Sequence, residues 1–226
     1  MLRVLFIFGF SSILGWVIEA IYRCIMSKKI VNPGFMGGCV LPIYGFGALI
    51  LYYICKFGSL INVKYNAFII ILISIILLTL LEYISGLFLL KFFKLKLWDY
   101  SNRKFNINGL ICLRFTLYWG ILALIFYLFI YSFIDSISEV FINNKYCLLF
   151  LGIFYGVFFI DLFLSINLLG KIKKYAKSKS KIINLEKLRY DIITRISKNK
   201  FLNRLYPYLS TSLFLNNKIK DDKNDL

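Results

Sequence analysis

The sequence predicts an all-α fold: a polytopic membrane bundle of five transmembrane helices, N-terminus outside and C-terminus in the cytoplasm, followed by a basic amphipathic cytoplasmic tail. Three observations carry that reading. Of 226 residues, 60% are hydrophobic and only 17% charged, against an apolar share of roughly 45–50% in soluble domains. The apolar residues gather into runs long enough to cross a bilayer. The formal net charge of +17 gathers between and after those runs.

The same composition removes several function classes. The chain contains no histidine, which excludes a Ser-His-Asp triad, a Cys-His nucleophile pair and a His-ligated zinc site. A soluble DNA-binding domain does not place more than half its length in uncharged apolar runs. Cys24, Cys39, Cys55, Cys112 and Cys147 stand singly, without a C-x-x-C pair, so they read as small hydrophobes and neither as a metal site nor as a disulfide framework.

The first span is expected over 4–26. A cleaved signal is rejected there, because no A-x-A-like site follows Met1-Leu2-Arg3 and the run continues through Gly15-Trp16 to a Glu19/Arg23 pair. The second apolar run, 41–55, is short: as a helix it reaches about 23 Å, so irregular backbone is expected to complete it, as a full span or a partly re-entrant one. The third, fourth and fifth spans are expected over 67–90, 115–134 and 146–169. Together they make a transmembrane domain of residues 1–170.

Orientation follows from the connectors. Arg23, Lys28 and Lys29 flank the first, and Lys91, Lys94, Lys96, Arg103, Lys104 and Arg114 populate the third. The opposite side offers Arg3, Lys56, Lys64 and Lys145. Five spans put every basic-rich connector on the cytoplasmic side. The tail, 171–226, holds fifteen basic and five acidic residues. Within it, Leu185, Leu188, Ile192 and Ile196 recur at helical spacing between Lys187, Arg189, Arg195 and Lys198, which predicts an amphipathic helix about 181–198 lying on an anionic leaflet.

Ionisable groups inside spans mark functional candidates. Glu19, Glu82 and Asp161 qualify. Glu19 has Arg23 four residues on, so a local ion pair is an equally good account of it. Glu82 has no such neighbour, and Gly86 one turn later admits close approach of another helix. Ser165 and Asn167 follow Asp161. Between the first two runs, Pro33, Gly34, Gly37, Gly38, Pro42, Gly45 and Gly47 concentrate five of the chain's fourteen glycines and two of its three prolines. Irregular backbone at membrane depth either lines a cavity or packs tightly in protein, and interrupted segments of this kind point to binding sites in transporters. Asn32, Gly34, Pro42 and Tyr44 therefore join Glu19, Glu82 and Asp161 as candidates for a polar cavity or substrate pathway. Trp98, Asp99, Tyr100, Ser101, Asn106 and Asn108 form a cytoplasmic gate or docking candidate; interfacial anchoring explains their aromatics but not the polar members. A faint echo relates the two helix pairs: each opens with a Glu-bearing helix and continues through a connector carrying Asn and Gly.

Several of these motifs occur in order: Gly15-Trp16-x-x-Glu19; Asn32-x-Gly34-Phe35-x-x-Gly38 leading to Pro42-Ile43-Tyr44-Gly45-x-Gly47-Ala48; Trp98-Asp99-Tyr100-Ser101; Phe105-Asn106-x-Asn108-Gly109-x-Ile111-Cys112; and Trp119-Gly120. Over roughly residues 5 to 170 the chain resembles the bacterial ABC-transporter permease family of type IV, the CmpB-like group. It departs from that pattern at Pro33 and Leu110, where a basic residue is expected. The resemblance implies a permease component in the cytoplasmic (inner) membrane and carries over no catalytic or ligand-binding residue.

No G-x-x-x-x-G-K-[ST] loop is present, so any ATPase is expected as a separate subunit. Other expected partners are anionic lipids and a second copy of the chain; nucleic acid, a metal and a cofactor are not expected. Two other readings stay open at this point. One is a membrane enzyme acting on a lipid-linked substrate through Asp99 with Glu19 or Glu82, and the other is a scaffold subunit without chemistry.

Overall fold

The computed structural model of the chain describes residues 1–27, 32–60, 66–178 and 183–184. Its elements are α1 (Leu2–Ser27), α2 (Pro42–Leu60), α3 (Asn66–Phe93), β1 (Leu95–Lys96), β2 (Asn106–Ile107), β3 (Ile111–Cys112), α4 (Leu113–Ile125), a π-helical stretch (Phe126–Ile130), α5 (Tyr131–Asn143), α6 (Lys145–Ser178) and β4 (Ile183–Asn184). Four stretches are long and apolar enough to cross a membrane: Leu2–Ile25, Ala67–Phe93, Leu113–Asn143 and Lys145–Asn167. A shorter apolar helix, Pro42–Gly58, accompanies them. The all-α expectation holds, since the strands are two-residue pairings in connectors.

Three helices outrun their expected bounds by more than a turn: α6, expected over 146–169, runs to Ser178, and the other two do so for a common reason. The second was expected over 41–55, where Lys56 interrupts the apolar run. Instead α2 continues to Leu60, and its nineteen residues reach about 28 Å. The Lys56 ammonium sits 5.9 Å from the centre of the Tyr52 ring one turn earlier, so the charge is carried without ending the helix. The fourth, expected over 115–134, runs unbroken through the π stretch to Asn143. Asp135 and Glu139 do not stop it because Arg3 on α1 pairs with both. Pro42 opens α2, where a residue without an amide hydrogen costs nothing.

The bundle core lies where α1, α2, α3 and α4–α5 meet. Phe6, Ile7, Ala48, Leu51, Tyr52, Ile70, Leu78, Ala123, Phe126 and Ile134 are buried together. A second cluster, Met36, Val40 and Phe158, seats the 32–41 segment against α6. The outward faces are lined by exposed Ile, Leu and Phe on every helix, and in the Lys145–Asn167 stretch only Leu151, Phe158 and Ser165 are buried within the chain. Such surfaces need an apolar solvent.

Helices α1 and α2 pack closest. A Cβ at Gly15 would overlap the Tyr44 ring, and one at Gly45 would overlap Ser12 Oγ and lie 2.8 Å from the Phe8 carbonyl oxygen. The glycine-rich segment therefore serves close packing of the helix that follows it. Leu41 N–H completes the join by donating to the Ser12 carbonyl at 3.0 Å.

In the tail, β4 pairs in parallel with β1, Leu95 opposite Ile183 and Lys96 opposite Asn184. Ile183 and Asn184 are thus extended where the amphipathic helix about 181–198 was expected; the rest of that helix lies outside the described residues.

Candidate functional site

The polar centre forms where the two helix pairs meet. Glu19 on α1 accepts from Arg23 Nε at 2.9 Å and from Tyr44 Oη on α2 at 3.1 Å. Glu82 on α3 accepts from Tyr100 Oη at 3.1 Å and from Trp119 Nε1 on α4 at 2.8 Å. The Tyr44 and Trp119 rings touch, with centroids 5.7 Å apart, and bridge the two carboxylates. The faint echo in the sequence has this geometric counterpart: in α1–α2 and in α3–α4, a carboxylate on the first helix meets an aromatic donor on the second.

The two carboxylates are not equivalent. Glu19 belongs to an ion pair whose side chains are 25% and 19% exposed, so its charge is both balanced and near water. Glu82 is 4% exposed, and among the described residues no basic side chain pairs with it. Its two oxygens are met only by neutral donors. A carboxylate in the middle of an apolar span, held by an indole and a phenol, is costly to keep.

Tyr100 reaches Glu82 from the connector 94–112, which is a small folded unit. Trp98 Nε1 donates to the Leu110 carbonyl at 2.8 Å, Tyr100 N–H to the Gly109 carbonyl at 2.8 Å, and Tyr100 stacks on Phe115 with centroids 4.4 Å apart. Gly86 gives room for Trp98 and Leu110, whose atoms would lie 3.3 and 3.1 Å from a Cβ there. The close approach expected of a helix is made by this connector instead. Asn106 closes the unit by donating to the Ser101 and Arg103 carbonyls and accepting from Gly109 N–H, and Asn108 donates to Tyr83 Oη at 3.1 Å. Lys94, Phe105 and Asn108 hold positive φ of 56°, 53° and 54°. Left-handed backbone at non-glycine residues persists where the surroundings over-determine it. Burial first, and the Glu82 carboxylate second, hold the Tyr100 phenol well above its ordinary pKa, so it remains a donor.

Asp99 does not join the carboxylates. Its Oδ1 accepts from Ser101 Oγ at 2.5 Å and Ser101 N at 3.1 Å and pairs with Lys96 Nζ at 3.2 Å. The Ser101 hydroxyl foremost, with the Ser101 amide and Lys96, holds the Asp99 carboxyl below its usual range. A depressed pKa means that Asp99 contributes fully above the ordinary carboxylate value of about 3.9 and loses its contribution only as pH falls through the lower folded value. Hydrogen exchange at the Ser101 amide, corrected for intrinsic rate, should therefore show protection down to pH about 4 and release only below. Release already at pH 5 would contradict this assignment.

The remaining candidates build the 32–41 segment. Asn32 Oδ1 accepts from Trp16 Nε1 at 2.9 Å and from Gly34 N–H at 3.1 Å, while its amide donates to the Met36 and Gly37 carbonyls. Asp161 is placed away from the Glu19–Glu82 centre: its two oxygens accept from Gly37 N–H at 3.1 Å and Gly38 N–H at 3.0 Å, and Ser165 Oγ lies 3.5 Å away. It ties α6 to the segment. Replacing Asp161 by Ala should cost about 1.5–3 kcal/mol, the range for hydrogen bonds to a charged group, and should speed protease cleavage within residues 32–41. Unchanged cleavage would remove this role.

A narrow seam of about 80 Å³ runs from the polar centre toward the opposite end of the bundle. Tyr44 and Trp119 stand at one end; Leu51 and Ile134 stand at the other. Its α4–α5 wall is Leu122, Phe126, Ile130 and Ile134. At four-residue spacing a regular helix drifts about 40° per step, and the π stretch Phe126–Ile130 takes up that drift and keeps the stripe on one face. Beyond Ile134 lies a group that the sequence reading missed: Arg3, Tyr52, Asp135 and Glu139. The signal was present in the i, i+4 spacing of Asp135 and Glu139, but both fell past the expected end of the fourth span.

No curated protein and no solved structure matches the chain. A family model described as "Putative ABC-transporter type IV" matches residues 6–166, a range that takes in Glu19, Glu82, the 32–41 segment and the 94–112 connector. Four apolar helices of crossing length make the chain a multi-pass membrane protein, and the length of the match shows that it belongs to the ABC-transporter type IV family.

Proposed function

We propose that the chain is the permease component of a transporter in the cytoplasmic membrane, that α2 completes a fifth crossing, and that the N-terminus lies outside and the tail inside. The observation that carries the reading is Glu82, a carboxylate buried in an apolar span and met, among the described residues, by neutral donors only. Intramembrane carboxylates of this kind are retained for a pathway. Glu19, Tyr44 and Trp119 complete the polar centre, and the 94–112 connector closes it on the cytoplasmic side through Tyr100. That connector, with Ile183 and Asn184 paired to it at β1–β4, is the surface for a separate ATPase subunit. The tail's fifteen basic residues hold it to anionic lipid.

Topology is tested by single cysteines at Lys145→Cys and Asn102→Cys in a chain whose native cysteines are replaced. An impermeant maleimide applied to intact cells is expected to label the first and spare the second. Labelling of both or neither from one side overturns the five-span arrangement. The permease role predicts that Glu82→Gln leaves a deletion strain's growth or uptake defect uncorrected, and full correction would defeat it.

A further inference from the structure

Past the Leu51 and Ile134 end of the seam stands a polar group unlike anything else among the described residues. Tyr52, 1% exposed, donates its hydroxyl to Asp135 Oδ1 at 2.5 Å. Arg3 Nη1 lies 3.2 Å from both the Tyr52 oxygen and Asp135 Oδ1, and Arg3 Nη2 lies 3.4 Å from Glu139 Oε1. One residue of the group stands on each of α1 and α2 and two on α5, so the contacts cross all the boundaries that meet there. Each of Tyr52 and Asp135 directly follows a seam-lining residue, Leu51 and Ile134. None of the four lines the seam itself; Tyr52 stands one turn beyond the lining Ala48 on α2 and Arg3 two turns beyond the lining Ser11 on α1, which puts the group past the seam's last apolar layer.

The seam is too narrow to conduct as it stands; Tyr44 and Trp119 mark its inner end, its walls are apolar, and the Arg3 group stands past its Leu51 and Ile134 end. Opening its outer end requires α5 to move from α1 and α2. The π stretch Phe126–Ile130 joins α5 to α4, and single π turns inside α-helices recur at functional sites.

We propose that Arg3, Tyr52 and Asp135 form a releasable latch that closes the outward end of this seam, with the π stretch as its hinge. The latch gives the permease reading its second gate and rests on that reading for its purpose, though its geometry does not. A charge-assisted contact of three partners is strong when assembled and is lost together when one is neutralised, which suits a gate with two states.

The test uses the full chain in lipid nanodiscs, where both faces are open to reagent. Ala48→Cys places a thiol in the seam one turn inward of Tyr52, at a site 8% exposed, and the buried Cys112 at the opposite end serves as an internal control. Maleimide modification of each is followed by peptide mass spectrometry. Asp135→Asn and Arg3→Gln should each speed modification at position 48 at least tenfold while Cys112 stays protected. Glu139→Gln, whose parent side chain is 72% exposed, should change the rate less than twofold. Unchanged modification at position 48 in the Asp135→Asn chain overturns the latch, and so does a parallel rise at Cys112, which would report general loosening. A failed latch leaves the Glu82→Gln phenotype as it was, so the two readings fail separately.

Discussion

Replacing Gly45 by Val is expected to abolish accumulation of folded protein, the largest stability effect of any single change proposed for this chain. The added Cβ would overlap Ser12 Oγ and approach the Phe8 carbonyl oxygen to 2.8 Å. Ser12 is fully buried, and the Phe8 carbonyl belongs to the α1 backbone, so neither can retreat without moving a helix. Overpacking in a dense core costs about 1–3 kcal/mol, and here it also separates the α1–α2 pair that holds Tyr44 against Glu19. We place the cost at the upper end, about 3 kcal/mol, a large part of a stability of about 5–15 kcal/mol. Gly152 and Gly156 on α6 provide the contrast. A Cβ at either meets nothing within 4 Å, and Gly152→Ala should leave yield and melting unchanged. Equal loss from Gly45→Val and Gly152→Ala would show that the close approach of α1 and α2 is not what limits folding.

Trp119→Phe should be nearly as damaging, by a different route. Phenylalanine fills most of the indole's space but removes the only donor to Glu82 Oε2 among the described residues. Hydrogen bonds to charged groups are worth about 1.5–3 kcal/mol, and the oxygen left behind is buried. The effect should depend on the charge it serves. In a Glu82→Gln background the same Trp119→Phe change should cost less than half as much, since an amide demands less of its surroundings. A double-mutant cycle read by thermal denaturation in detergent measures this coupling. Additive costs would mean that the indole stabilises through packing, for instance against Tyr44, and that its contact with Glu82 is incidental. Tyr100→Phe should behave in the same sense with a smaller cost, because the connector stands nearer to water.

The helical plan was legible because apolar runs leave little choice in a membrane. The bounds of α1 and α3 were readable within a few residues, and so was the start of α6, which runs on past its expected end to Ser178. The errors share one cause: a charge in the sequence reads as the end of a span, whereas in the fold it ends nothing when a partner is supplied. Lys56 rests on Tyr52, and Asp135 and Glu139 meet Arg3, a pairing across 132 residues for the first acid that no local pattern reveals.

The candidate residues themselves were legible, but their grouping was not. Glu19, Glu82, Tyr44 and Tyr100 could be singled out as polar or aromatic groups in unusual places. That Tyr44 serves Glu19 while Tyr100 and Trp119 serve Glu82 follows only from how α2 and α4 return against their predecessors. Asp161 shows the opposite case. As an acid in an apolar span it invites a place in the pathway, yet its oxygens satisfy two backbone amides of the 32–41 segment. An acid that caps peptide groups has a structural reason to be there, and Glu82 has none of that kind.

The central claim, that Glu82 is kept for passage through the membrane, is tested most directly by Glu82→Gln measured for fold and function together. Glutamine keeps the shape and both acceptor and donor capacity while removing the charge. The predicted result is a chain that inserts, melts within a few degrees of the unmodified protein, and fails to restore the growth or uptake of a strain lacking it. A stable Glu82→Gln protein that restores that phenotype in full would contradict the account.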